Sequence, residues 1–155
     1  MGCGKAAGGG ILPVSFVAGR RDVMDLLTPG SEGSTFGGYP LASVVGTYAI
    51  KVLVDEGLSE NAKRRGEYLM NHLNSVKDEF PDKIKEVRGK GLLTAFEMHD
   101  QKHLDGHTVS VELLNHGVYA KETHRTTVRL APALTIKKNQ IDQLIDAIRS
   151  VVKEL

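Results

Sequence analysis

Lys5, in Met1-Gly-Cys-Gly-Lys-Ala-Ala-Gly-Gly-Gly10, is a single lysine set among glycines ahead of an apolar run. A lysine amine attacks carbonyl carbon only when unprotonated, so its chemistry requires desolvation or a neighbouring cation to lower its pKa. Only four residues precede it, so a catalytic Lys5 would need much of its pocket from protein outside these residues. Two other readings of the glycines fail on context. Gly2-x-Gly4-x-x-Ala7 has the loose form of a dinucleotide fingerprint, but no strand leads in and a strand, not a helix, is expected to follow. Gly4-Lys5-Ala6 lacks both the earlier glycine and the following Ser or Thr of a phosphate loop.

Arg129 lies within the apolar run Thr127-Val-Arg-Leu-Ala-Pro132. A guanidinium is costly to bury without an anion, and its planar donor fork matches a carboxylate, so a ligand carboxylate is one partner for it. The alternative is a strand-edge arginine that reaches solvent or pairs with a glutamate. The glycine-rich loop Pro29 to Pro40 sets small hydroxyl residues where backbone N–H groups can face an anion. His103 and His107 have the four-residue spacing of a helical metal pair. Gly106 weakens that helix, no Glu follows His103 and no third ligand is evident, so surface histidines are expected and no metal. His72, His99, His116 and His124 form no cluster, and lone Cys3 suits a reducing compartment.

These residues need elements to hold them. Ile11 to Ala18 is a short apolar run between glycines, the pattern of a strand buried on both faces. Arg21 to Leu27 predicts two helical turns stopped by Thr28-Pro29-Gly30. From Leu41 the apolar spacing becomes helical, with Pro40 in the first turn and an end near Gly57. A second helix runs from Leu58 to Phe80, its charged face solvated. Strands are expected at Ile84 to Val87 and Leu92 to Met98 around the turn Arg88-Gly-Lys-Gly91. Further strands are expected at Val118 to Lys121 and Thr127 to Leu130, with a helix from Val109 to Leu114 closed by Gly117. Ile141, Leu144, Ile145, Ile148, Val152 and Leu155 make one stripe on a closing helix. A boundary is expected near Gly57, with residues 1–57 carrying the lysine, loop and first long helix, and 58–155 a compact α+β lobe.

The 155 residues, 41% hydrophobic and 25% charged, are enough for a real core in one ordinary domain or two small lobes. A net charge of +1 from mixed signs, with 5% aromatic residues, argues against nucleic-acid binding. No apolar run is long enough to span a membrane, and no signal peptide is visible. The chain opens into a glycine-rich turn with no strand before it, which reads as a truncation.

Four blocks then fall together in order. Gly4-Lys-Ala-Ala-Gly-Gly-Gly-Ile-Leu-Pro-Val-Ser15, Gly30-Ser-Glu-Gly-Ser-Thr-Phe-Gly-Gly-Tyr-Pro-Leu41, Val87-Arg-Gly-Lys-Gly-Leu-Leu93 and Lys121-Glu-Thr-His-Arg-Thr-Thr-Val-Arg-Leu-Ala-Pro132 resemble the ornithine aminotransferase family. That family is class-III, fold-type-I and dependent on pyridoxal 5'-phosphate, and the resemblance runs from Lys5 to Leu155. It implies an α/β fold, the C-terminal part of a fold-type-I transferase: a large-domain remnant over 1–57 and a small α+β domain over 58–155. Lys5 then matches the lysine that holds the cofactor as a Schiff base. Ser34 and Thr35 match a hydroxyl pair that reaches the cofactor phosphate of a neighbouring subunit. Arg129 matches a carboxylate-binding arginine.

The implied activity of the intact enzyme is transfer of the ornithine side-chain amino group to 2-oxoglutarate, giving glutamate semialdehyde and glutamate. Its implied partners are amino-acid and 2-oxo-acid substrates and a second copy, in a homodimer or higher homo-oligomer. A cytoplasmic location is inferred, or the mitochondrial matrix in a eukaryote. The alternatives are another ω-amine aminotransferase of the acetylornithine or 4-aminobutyrate type, or a non-catalytic fragment. Two departures stand out. Tyr39 occupies a loop position where the family usually has Asn. The cofactor's ring-nitrogen carboxylate, its stacking aromatic and its main phosphate turn precede the lysine in the family, so this chain alone is expected to be inactive.

Overall fold

The computed structural model describes residues 1–101 and 104–155, which divide into two compact units, Met1–Gly57 and Leu58–Leu155. In the first, β1 (Gly2–Cys3) pairs antiparallel with β2 (Phe16–Val17). The Met1 ammonium donates to the Ala18 carbonyl at 2.7 Å beside them. One 3-10 turn, Lys5–Gly8, ends on Gly9, whose φ of +63° brings its N–H onto the Ala6 carbonyl. A single helical turn, α1 (Arg21–Met24), precedes the long loop, and α2 (Pro40–Asp55) follows it. Proline starts α2 without loss because the first helical N–H has no intrahelical partner.

Glycines allow these pieces to close on one another. A Cβ at Gly8 or at Gly46 would stand 3.1 Å from a Val14 methyl, so Val14 fits between the 3-10 turn and α2 only because both positions lack one.

Three expectations for this unit are corrected. A strand does precede Lys5, since β1 spans Gly2–Cys3. The strand expected over Ile11 to Ala18 shrinks to Phe16–Val17 and is exposed, with Ile11 81% exposed. A two-residue ladder with one neighbour has no second layer on either face and cannot bury them. The helix expected to Leu27 stops at Met24, because Leu26 and Leu27 have nothing to pack against and remain exposed. In residues 1–57 only Gly8 and Gly46 are buried.

The second unit has a true core. α3 (Leu58–Glu79) leads into a four-stranded antiparallel sheet in the order β3-β4-β6-β5, built from β3 (Ile84–Lys90), β4 (Leu93–Met98), β5 (Lys121–Thr123) and β6 (Thr127–Leu130). α4 (Gly106–Asn115) precedes β5, and α5 (Lys138–Glu154) closes the chain. Phe96, Met98 and Val128 on one sheet face meet Leu69 and Leu73 of α3 and Ile148 of α5 in one fully buried cluster. The Asp105 side chain caps α4 through the Thr108 N–H at 2.8 Å, and that bond holds the Asp105 carboxyl below its usual range.

Two boundaries differ from expectation for stated reasons. Lys90 pairs with Leu93, so the hairpin turn is only Gly91-Leu92, and Gly91 at φ +56° supplies the left-handed first position. The strand expected at Val118 to Lys121 begins only at Lys121. The N–H of Gly117 (φ +76°) bonds the Leu114 carbonyl and that of Val118 the Leu113 carbonyl, so Val118 belongs to the helix stop. His107 lies in the first turn of α4, 3.7 Å from Glu122, and His103 lies outside the described residues.

Candidate active-site residues

Lys5 opens the 3-10 turn with φ +55°, a left-handed conformation rare for a residue with a side chain. Such strain persists only where surrounding structure holds it, and it concentrates at functional positions. Here the Gly9 N–H bond to Ala6 and the fit of Gly9 against Ala49 hold the turn; a Cβ on Gly9 would lie 3.2 Å from the Ala49 methyl. The lysine side chain is exposed.

Ser34 and Thr35 lie in the loop between α1 and α2, both exposed. The Ser34 carbonyl accepts the Gly37 N–H at 2.9 Å, a tight turn in which a Cβ at Gly37 would approach that carbonyl to 3.1 Å. The turn leaves both residues exposed. Ser34 lines a cleft of about 760 Å³ walled by Leu12 to Phe16, the Ser34–Tyr39 loop and one face of α2, where Ser43 and Thr47 add hydroxyls. Lys5 and Thr35 do not line it. Both α2 hydroxyls are turned back to the helix, Ser43 donating to the Tyr39 carbonyl and Thr47 to the Ser43 carbonyl.

Tyr39 occupies the position that caps α2, and its side chain makes no capping hydrogen bond. The ring packs edge-on against Phe36, centroids 6.1 Å apart. An Asn there would offer an amide oxygen to the helix N–H groups; a phenol on a six-membered ring stands too far out.

Arg129 is the single exposed position of β6. The period of two along a strand turns Val128 and Leu130 into the core and Arg129 outward, so no buried guanidinium has to be offset. The solvent-reaching alternative describes its surroundings within this chain. The ladder places Arg88, Ala95, Arg129 and Lys121 in one row across the outer face, and Glu86, Glu97, Thr127 and Thr123 in the next.

In the second row Glu97 accepts from Lys85 at 2.7 Å and from Arg88 at 2.8 Å, and Arg88 also donates to Glu86 and to the Thr127 hydroxyl. The Lys85 bond foremost, then Arg88, holds the Glu97 carboxyl below the usual glutamate range. Glu97 in turn raises Lys85 and Arg88. Sequence reasoning missed this network and the place of Lys121 beside Arg129. Both depend on cross-strand register, which is not readable from single segments.

The model of the family described as aminotransferase class-III matches residues 1–152. The chain belongs to that family, and its mixed α/β fold is part of the fold of these pyridoxal-phosphate-dependent enzymes. Within it, ornithine aminotransferase 1 of Staphylococcus aureus (strain MRSA252) is 44% identical over 150 residues, covering 97% of this chain and 36% of that protein. The mitochondrial ornithine aminotransferase of Arabidopsis thaliana is 43% identical over 152 residues, covering 97% and 32%. Among solved structures, acetylornithine aminotransferase from Elizabethkingia anophelis superposes with a TM-score of 0.93 at 37% identity, over 99% of this chain and 40% of that one. Ornithine aminotransferase from Toxoplasma gondii ME49 superposes at 0.90 with 38% identity, over 99% and 36%. The chain thus spans about a third of the length of the curated relatives.

Proposed function

We propose that this chain carries the lysine-bearing and C-terminal part of an ornithine-type aminotransferase, residues 1–57 belonging to the cofactor-binding domain and 58–155 forming the small domain. The observation that carries this is the exposed Lys5 amine held on left-handed backbone in a glycine turn, in a chain 44% identical to an ornithine aminotransferase. The intact protein would move the ornithine side-chain amino group to 2-oxoglutarate. A second reading, transamination of acetylornithine, is favoured by the 0.93 TM-score to an enzyme of that name.

The donor set suits pyridoxal phosphate. Lys5 offers a primary amine for an imine bond, and Ser34 and Thr35 offer two exposed hydroxyls beside a turn suited to a phosphate, supplied to a second copy in a homodimer. The cofactor, when bound, supplies the electron sink that lets a proton leave the amino-bearing carbon. Lys5 would hold the cofactor, and its amine, when free, would be the base that takes that proton. Arg129 holds the substrate carboxylate by a paired set of N–H donors and so orients the reacting carbon.

Incubation of the purified chain with pyridoxal phosphate, borohydride reduction and peptide mapping tests the assignment. The expected result is label at Lys5, absent in Lys5→Ala, with no turnover of ornithine and 2-oxoglutarate by the chain alone. Label spread over surface lysines with none specific to Lys5 would count against it.

A further inference from the structure

The outer sheet face carries an unbalanced pair of cations. Lys121 and Arg129 are direct cross-strand partners in the antiparallel ladder, both exposed, and therefore project side by side from the same face. On the far side of Arg129 the row continues with Ala95, which carries no charge. Two nearby carboxylates are engaged elsewhere, Glu97 with Lys85 and Arg88 and Glu86 with Arg88; Glu122 next to Lys121 projects from the opposite side of β5, 3.7 Å from His107. Arg88 is thus neutralised by two glutamates, and Lys121 and Arg129 are in no ion pair among the described residues.

Like charges placed directly opposite on a ladder destabilise the sheet. Each would be relieved by one anion lying between them. Partnered strands set Cα atoms about 5 Å apart, and one carboxylate has two oxygens and enough lone pairs to accept from a guanidinium fork and an ammonium together.

We propose that Lys121 is a second carboxylate-binding residue, which together with Arg129 clamps a single carboxylate of the amino-acid or oxo-acid substrate. This deepens the aminotransferase reading, which had Arg129 alone in that role. Arg129 sets the plane of the carboxylate through paired N–H donors, and Lys121 adds a point charge from the β5 side. The arrangement favours ligands whose end group is charged over isosteric amides.

The test is a titration of the full chain with sodium propionate, propionamide and inorganic phosphate, followed by the backbone amide resonances of Lys121 and Arg129. Propionate is expected to shift both saturably, and propionamide neither. Lys121→Gln should weaken propionate binding about fivefold, the scale of one exposed charge contact, with Lys121→Arg restoring it. Core amides such as those of Phe96 and Val128 should be unmoved in each variant, which excludes misfolding as the cause.

Equal propionate affinity in Lys121→Gln overturns the proposal, as does an equal response to propionamide or tighter binding of phosphate than of propionate. The outcome is independent of cofactor trapping at Lys5. A chain that traps at Lys5 but ignores Lys121→Gln loses only this inference. One that fails to trap yet shows the Lys121 dependence loses the cofactor-holding role of Lys5 and keeps the carboxylate clamp.

Discussion

At Lys5 the backbone conformation and the side chain pull in opposite directions. The φ of +55° suits glycine, whereas the amine is the group with chemistry. Lys5→Gly should therefore raise thermal stability of the turn, by up to about 1 kcal/mol, while abolishing borohydride-trapped label; a loss of stability would show that the lysine side chain packs in a way that offsets the strain. Tyr39 presents the converse case. Tyr39→Asn places an amide at the uncapped start of α2 and should stabilise that helix by about 1 kcal/mol, measurable by circular dichroism. Activity of a complete enzyme carrying Tyr39 should fall only modestly below that of the same enzyme with asparagine in its place; activity appearing from nothing on Tyr39→Asn would refute this.

At the scale of elements, α3 rests directly on the β3–β4 hairpin. A Cβ at Gly66 would meet the Gly91 backbone at 2.2 Å, with no flexible side chain to yield. Gly66→Ala should cost about 3 kcal/mol or unfold the lobe, as a denaturant midpoint would show. The Lys85–Glu97–Arg88 network makes a pH prediction with a definite sign. The folded-state pKa of Glu97 is lowered, chiefly by Lys85, so its contribution is complete above the ordinary glutamate pKa and is lost as pH falls through the lower folded value. Acid titration of Glu97→Gln should accordingly show a shallower stability loss than the parent below about pH 4.5.

The long helices were legible because their apolar spacing is long and regular: the expected stripe maps onto the buried face of α5 from Ile141 to Val152, while Leu155 falls past the helix end and is exposed. Short strands were less so. Val118 looks like a strand residue, yet the positive φ at Gly117 binds it to the end of α4. Arg129 could be placed in a strand from its neighbours, but its outward direction and its position next to Lys121 arise from register with β4 and β5. Lys5 and Ser34 are separated by 28 residues of weak local pattern, and nothing in that pattern indicated that Ser34 would line a cleft and Lys5 would not.

Across the whole molecule, apolar burial is uneven. Leu26, Phe36, Val44, Tyr48 and Val54 are each more than half exposed, all within residues 1–57, whereas residues 58–155 hold the entire apolar core. That much exposed apolar surface favours self-association. Sedimentation of the purified chain is expected to show concentration-dependent species above the monomer, and a clean monomer at high concentration would count against it. No helix among the described residues is long and apolar enough to cross a membrane.

The uneven core also divides the chain in time. An amide in the middle of β4 or β6 can exchange its proton for deuterium only when the lobe around Phe96 opens as a whole, an event governed by its full unfolding free energy. An amide of β2, tied by a two-residue ladder with no buried layer beneath it, is released by local fraying. Placed in heavy water, a single polypeptide would therefore lose one part of its proton signal almost at once and keep the other for far longer, the break in rate falling near Gly57.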